Sequence, residues 1–258
     1  NVIAKKIVGA GFGTQKEFDE FLIELDGTKN KSRLGGNTTI ALSIAFFKAL
    51  SAESNLEHYE LFAKIMGKTP SMPVMTLNFI EGGAHAGNNL PIQEYMVAPY
   101  GFKDFETALE ASTRVFVELK ALISRKLGKS STCVGDEGGY AVQAADPAIP
   151  LMLLTQAIST VGEEDRFCLA VDAAASEFYK DGKYVFCGKT ISAQKLGEKY
   201  TSWTREFNVK SIEDPFAENN WGEWTQFMKK NKIQVVGDDL IHRPDGRVGR
   251  TGGCPEHD

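Results

Sequence analysis

CLAVD (168–172), VKSIE (209–213) and IQVVGD (233–238) are the stretches that decide the fold. Each is a short, mostly apolar run that ends in an acidic residue, which is the pattern of a buried strand. Helical patterns at 193–207 and 221–230 lie between them. Because strands that alternate with helices pair in parallel through right-handed crossovers, we predict an α/β protein with either a barrel or an open doubly wound sheet.

Upstream of these strands the spacing of apolar residues is first helical and then mixed. It predicts a helix at 15–25, with Thr14 as the N-cap and Gly27 as a left-handed stop. A second helix, capped by Asn37 or Thr38, follows. The other predicted elements are helices at 57–66, 105–125 and 147–161 and strands at 74–79 and 93–98. We therefore expect a helical domain at 1–70, an α/β domain at 71–240 and an irregular tail at 241–258.

Composition narrows the class of protein. The 258-residue chain is 42% hydrophobic and 24% charged, as in ordinary soluble globular proteins. Its net charge of −5 argues against nucleic-acid binding, which favours a basic face. No apolar run approaches the ~18 residues of a membrane-spanning helix. The four cysteines are widely spaced and form no C-x-x-C pair, which indicates free thiols in a reducing cytoplasm.

The acidic residues at the strand ends indicate a metal site. Asp172, Glu213 and Asp238, with Asp239 beside it, each follow an apolar run. The carboxyl ends of parallel strands meet at one edge, so these carboxylates should converge. Clustered carboxylates repel one another, and a hard cation such as Mg²⁺ offsets that repulsion best. The alternative is that each acid only caps the helix that follows it.

Two further acids and a histidine lie among glycines. Glu94 follows Gln93 at the start of a predicted strand, and Glu137 lies in the glycine-rich segment GDEGG (135–139). His85 lies in GGAHAG (82–87), between small residues and not on an apolar helix face. Glycines let the backbone approach a ligand closely and let a loop move.

These motifs together resemble the enolase family. GGAHAG (82–87), QE (93–94), VGDEGG (134–139), SIEDPF (211–216) and GDDL (237–240) occur in the family's order. Upstream, FLIELDGT (21–28) and the segment from Asn30 to Asn37 are similar to its helical N-terminal region. The resemblance covers about residues 1–240 and implies an incomplete TIM-type barrel of about five strands, preceded by a helical remnant of the N-terminal domain.

The resemblance also implies a reaction, the Mg²⁺-dependent reversible dehydration of 2-phosphoglycerate to phosphoenolpyruvate in glycolysis, by a hydro-lyase that is usually a homodimer. Asp172, Glu213 and Asp238 match the ligands of the tightly bound Mg²⁺. Enolase-type sites stabilise a doubly charged ene-diolate with metal ions and use a Lys or His as the base.

The leaving hydroxide requires an acid, and a glutamate can serve once crowding with other carboxylates raises its pKa. Glu94 and Glu137 match the paired glutamates beside this hydroxyl, with Glu137 the better candidate for the acid. His85 matches the histidine of a loop that closes over the substrate, and Gln93 matches a neighbouring polar group.

The chain also departs from the family pattern. No lysine follows Lys232, so the base lysine has no matching position, and Glu81 stands where the family usually has Asn. We therefore expect this chain alone to be inactive. Three explanations stay open: a partial sequence, a non-catalytic enolase-like protein with a binding role, and another superfamily member such as a muconate-cycloisomerase-like enzyme. The motifs around His85 and Glu137 favour enolase over the last of these.

A five-stranded part of a barrel has two edges that a closed barrel lacks. We expect these open edges at 74–79 and 233–238. We also expect an exposed apolar inner face that includes Leu77, Val171, Ile212 and Val236.

Overall fold

The computed structural model describes residues 2–241, which form two compact units, residues 2–72 and residues 73–241. Each unit is described by itself. The predicted tail from residue 242 onward lies outside the described residues. No helix in the described part of the chain combines the length and the apolarity needed to cross a membrane.

The first unit is helical, as its sequence predicts. Its helices are α1 (Ala4–Ile7), α2 (Gln15–Asp26), α3 (Gly36–Ser54) and α4 (His58–Met66). The predicted ends of α2 are confirmed, because the Thr14 hydroxyl accepts the N–H of Glu17 and Gly27 has φ +67°. The stacked rings of Phe18 and Phe46, with centroids 4.2 Å apart, join α2 to α3.

The predicted cap of α3 is wrong. The helix begins earlier than expected, after Gly35 at φ +91°, and no side chain caps it. The Gly35 carbonyl accepts the N–H groups of Thr38 and Thr39, so both residues already lie within the first turn. The Asn37 side chain accepts only the N–H of its neighbour Thr38.

The second unit is built on a five-stranded sheet of order β1-β2-β3-β7-β8. The strands are β1 (Leu77–Glu81), β2 (Glu94–Ala98), β3 (Cys168–Asp172), β7 (Val209–Glu213) and β8 (Gln234–Val236). The three parallel strands predicted from the opening motifs are confirmed, since β3, β7 and β8 pair in parallel. By contrast, β2 is antiparallel to both β1 and β3. Between β1 and β2 the chain forms only a short 3-10 turn at Gly83–His85 and no crossover helix.

A small second sheet was not predicted. It has three short antiparallel strands, β4 (Tyr179–Lys180), β5 (Lys183–Phe186) and β6 (Lys189–Ile191). Asp181 and Gly182 join the first two with φ of +50° and +79°, the conformation that two-residue hairpin turns need. Asp-Gly is a strong hairpin signal, so this turn could have been predicted from the sequence.

Four helices cover one face of the main sheet: α5 (Phe105–Leu127), α6 (Ala148–Val161), α7 (Ala193–Glu206) and α8 (Trp221–Lys230). The expectation that Val171 and Ile212 are exposed is wrong, because both are fully buried in one cluster with helix residues such as Leu154. Side chains alternate between the faces of a strand, and these two face the helices.

The sheet is an incomplete barrel. Within residues 73–241 it does not close, because β1 and β8 each pair with a single strand of the sheet. These are the two predicted open edges, shifted to Leu77–Glu81 and Gln234–Val236. A single residue, Tyr140, lies along the outer edge of β1, where it exchanges backbone hydrogen bonds with Phe79 and Glu81.

Packing of α6 into the core contributes to the stability of the second unit. Leu154 is fully buried, whereas Met152 on the same helix is 55% exposed. We expect Leu154→Ala to lower the free energy of unfolding by about 2–5 kcal/mol, since it leaves a cavity. Met152→Ala should change it by about 0.5 kcal/mol or less. Urea unfolding of both variants tests this, and equal losses would contradict the assigned core.

Candidate metal and acid–base site

The strand register places three carboxylates in a row. Glu94, the first residue of β2, lies opposite Asp172, the last residue of β3, and Asp172 lies opposite Glu213, the last residue of β7. Residues that pair across neighbouring strands point to the same face of a sheet. The row therefore lies on the face opposite to that of Val171 and Ile212, at the carboxyl ends of the parallel strands.

Asp172 lies at the centre of this row. The Gln93 side-chain amide donates to Oδ2 at 3.0 Å, and the N–H of Ala174 donates to Oδ1 at 2.9 Å. Burial raises the pKa of Asp172 to about 6, against the lowering effect of the Ala174 N–H and with a further rise from the charge of Asp214. The Asp172 carboxylate is thus held in place, and no ion pair within residues 2–241 offsets its charge.

The pKa values of the neighbouring acids Glu213 and Asp214 are also raised. Burial, followed by the negative charges of Asp172 and Asp214, raises the pKa of Glu213 to about 7. Burial raises the pKa of Asp214 to about 6. Oxygen atoms of Asp172, Glu213 and Asp214 all lie within 4.8 Å of one another, a spacing that a metal ion can bridge. Within residues 2–241 no lysine or arginine pairs with any of the three.

The third acid of this group is Asp214, and Asp238, the predicted ligand, contacts it through its backbone N–H. Asp238 is exposed and lies outside the group, although its charge contributes to the raised pKa of Glu213. Both Asp214 oxygens accept backbone N–H groups, from Asp238 at 3.2 Å and from Asp239 at 2.8 Å. Sequence reasoning missed Asp214, whose signal was its position directly after Glu213 at a strand end.

The backbone after two of the strands is strained. Ala174 and Asp214 have φ of +41° and +38°, in the left-handed region that residues other than glycine rarely adopt. The Ala174 N–H thereby reaches Asp172, and the Asp214 carboxylate reaches the chain after β8. Strain of this kind is common where a site is held in a fixed geometry.

His85 and Glu137 lie beside Glu94, at one end of the row of carboxylates. His85 Nδ1 lies 3.7 Å from Glu94 Oε1 and 3.8 Å from Glu137 Oε1. Burial, followed by the charges of Asp172 and Glu137, raises the pKa of Glu94 to about 8. Burial and carboxylate crowding thus favour the protonated form of Glu94. The Asn78 side-chain amide donates to Glu137 Oε2 at 3.1 Å.

Glycines place the His85 loop against β2. A β-carbon at Gly82 would overlap the carbonyl oxygen of Ile92, and Gly83 has φ +54°. The N–H of Gly82 donates to the Gln93 carbonyl at 2.9 Å. Both glycines are thus required for this close approach, and the loop carries His85 towards Glu94.

The donor set suits a hard divalent cation. Asp172 and Glu213 offer carboxylate oxygens, which Mg²⁺ and Ca²⁺ prefer, and no cysteine takes part. Their raised pKa values show how unfavourable the cluster is without a positive charge. A cation bound there would lower both pKa values, so the residues fit the metal that the family resemblance implies.

The fold and the site together define a TIM-barrel-type protein with acidic residues at the carboxyl ends of its strands. Residues 69–249 match the family described as "Enolase, C-terminal TIM barrel domain", and residues 1–62 match "Enolase, N-terminal domain". The chain belongs to the enolase family. The enolase of Methanocaldococcus jannaschii is 42% identical over 243 residues, which cover 93% of this chain and 56% of that protein. The chain thus spans about half the length of this curated relative.

The raised pKa values predict that the metal-free chain loses stability as pH rises. Glu94, with its ordinary pKa of 4.5 raised to about 8, binds its proton more tightly in the folded chain. This contribution to stability is complete below about pH 4.5 and is lost as pH rises to about 8.

We expect the melting temperature in EDTA to fall between about pH 5 and pH 8.5. The fall should be smaller in Glu94→Gln, which cannot ionise, and unchanged in Glu110→Gln, which removes an exposed acid from α5. An equal fall in all three proteins would contradict the assignment.

Proposed function

We propose that this chain supplies the metal ligands and the acid of an enolase reaction, the reversible dehydration of 2-phosphoglycerate to phosphoenolpyruvate. It would thus be part of a hydro-lyase of glycolysis, cytoplasmic and homodimeric like the family in general. The observation that carries the proposal is the row of Glu94, Asp172 and Glu213 across three strands. It puts a carboxyl group with a raised pKa beside carboxylates that need a cation.

The proposed metal ligands are Asp172, Glu213 and Asp238, with Mg²⁺ as the ion. Asp214 has both oxygens engaged by the N–H groups of Asp238 and Asp239, so its role is to hold the Asp238 segment. Gln93 orients Asp172 through its amide. Bound there, Mg²⁺ supplies the positive charge that offsets the charge developing on the substrate carboxylate.

The proposed acid is the pair of Glu94 and Glu137. The resemblance favours Glu137 as the proton donor, whereas burial and the neighbouring carboxylates raise the pKa of Glu94 and favour its protonated form. Glu94 and Glu137 lie close enough for the charge of Glu137 to raise the pKa of Glu94, so a proton held by Glu94 would be available to the leaving hydroxyl. His85, on its glycine-bounded loop, would close against the substrate beside them.

Removal of the α-proton needs a base that these residues do not provide. In the described part of the chain, no lysine pairs with any carboxylate of the site. We therefore expect the 258-residue chain to bind Mg²⁺ without forming measurable phosphoenolpyruvate. An assay of enol formation by ultraviolet absorbance tests this, and rapid turnover would show that another residue supplies the base.

Calorimetry with Mg²⁺ tests the metal site directly. We expect binding by the wild-type chain and none by Asp172→Asn or Asp238→Asn, because each removes a charged ligand. Gln93→Leu should weaken binding roughly tenfold or more, since it frees the orientation of Asp172.

Glu110→Gln, a change of equal charge at an exposed position, serves as the control and should bind like the wild type. If Asp238→Asn binds normally while Asp214→Asn does not, Asp214 is the third ligand. If Asp172→Asn binds normally, the metal site itself is wrong.

A further inference from the structure

A buried acid that the proposed reaction does not use lies under the 135–139 loop, which carries Glu137. Glu81 is the last residue of β1 and is fully buried. The backbone N–H of Glu137 donates to its Oε2 at 3.3 Å, and the N–H of Gly139 donates to its Oε1. A single side chain from the sheet edge thus binds two peptide groups of this loop.

The loop and Glu81 fit together closely. A β-carbon at Gly135 would overlap Glu81 Oε2, and one at Gly139 would lie 2.9 Å from Oε1 and from Cγ. Atoms at that separation repel strongly, so neither position accepts a side chain while Glu81 is in place. The two glycines let the backbone approach the carboxylate, which in turn satisfies the loop's N–H groups.

Glu81 also joins this loop to the one that carries His85. Its carbonyl accepts the side-chain amide of Asn88 at 2.8 Å, and that amide also donates to the carbonyl of Val142. The N–H of Asp136 donates to the carbonyl of His85 at 3.1 Å. The backbone of β1 therefore fixes both loops, and the Glu81 carboxylate fixes the one with Glu137.

Glu137 itself has little else to hold it. Its side chain is 47% exposed, and its contacts are with Asn78, His85 and Glu94. A carboxylate on a loop that is free to move would not stay 3.8 Å from His85. The position of the Glu137 backbone therefore decides whether its side chain meets Glu94.

We propose that Glu81 is a positioning residue, which holds Glu137 beside Glu94 and His85 by accepting the backbone N–H groups of Glu137 and Gly139. Only the catalytic meaning of this contact rests on the proposed function, because the contact itself is independent of any reaction. The arrangement requires a carboxylate, which can accept at both oxygens. A glutamine of the same shape would accept one N–H and oppose the other with its own NH₂ group.

Hydrogen exchange of the Glu137 and Gly139 amides in the 258-residue chain tests the contact. We expect Glu81→Gln to speed exchange of at least one of them roughly tenfold, the effect of losing one hydrogen bond to a charged group. The Ala173 amide, which donates to the Glu213 carbonyl, serves as the internal reference and should not change. Unchanged exchange at both loop amides would overturn the proposal.

The His85 ring signal in NMR spectra separates positioning from mere support of the fold. If Glu81 acts through the Glu137 side chain, Glu81→Gln should shift the His85 signal in the wild-type chain and much less in a Glu137→Gln chain. An equal shift in both backgrounds would mean that Glu81 acts on His85 through the backbone alone, which would also overturn the proposal. Neither measurement uses Mg²⁺ or substrate, so both stand if the proposed function fails.

A second variant covers the case in which Glu81→Gln does not fold. Gly139→Ala pushes the loop away from Glu81 without changing the acid. It should reproduce both the faster exchange at Glu137 and the His85 shift. Gly87→Ala, which lies in the His85 loop and has open space around it, is the control and should do neither. A normal Glu137 amide in a folded Gly139→Ala chain would count against the positioning role.

Discussion

The structure depends on the pairing of β2, β3 and β7, which brings Glu94, Asp172 and Glu213 into one register. A slip of one residue in either pairing would turn a carboxylate towards the helices, where Val171 and Ile212 now pack. Apolar burial on one face thus fixes the acidic row on the other. Burial and mutual repulsion raise the pKa values of these acids, so the arrangement carries an electrostatic cost that the helix-facing core offsets.

The two halves of the site are supported differently. Asp172 and Glu213 lie at the ends of paired strands, so the sheet sets their separation. His85 and Glu137 lie on loops. The loop with His85 contacts the chain just before β2 through Gly82, and the loop with Glu137 contacts β1 through the Glu81 carboxylate. Such a division suits a site in which cation ligands stay fixed while the groups around the substrate adjust.

Sequence patterns predicted the elements well where one physical signal dominated. The apolar runs that end in Asp172 and Glu213 gave the bounds of β3 and β7, and Thr14 and Gly27 gave those of α2. Local signals could not give the antiparallel direction of β2, which depends on how distant segments pair. Local signals also could not show that Val171 and Ile212 are buried. The alternation of side chains along a strand shows that neighbouring residues point to opposite faces, but it does not show which face the helices cover. Asp214 was missed because its role depends on a backbone turn at φ +38°.

The reversed direction of β2 has a consequence for how this architecture tolerates change. Its first residue, Glu94, lies beside the last residue of β3, while its last residue, Ala98, pairs with Cys168 at the far end of the sheet. The connection that precedes β2 is therefore the one at the site, and the connection that follows it emerges at the opposite end. In a uniformly parallel barrel, the connection that follows each strand lies at the site, and the connection that precedes it lies at the opposite end. Insertions that enlarge or reshape the mouth of this site belong before Glu94, and the turn after Ala98 is free to vary in length without reaching it.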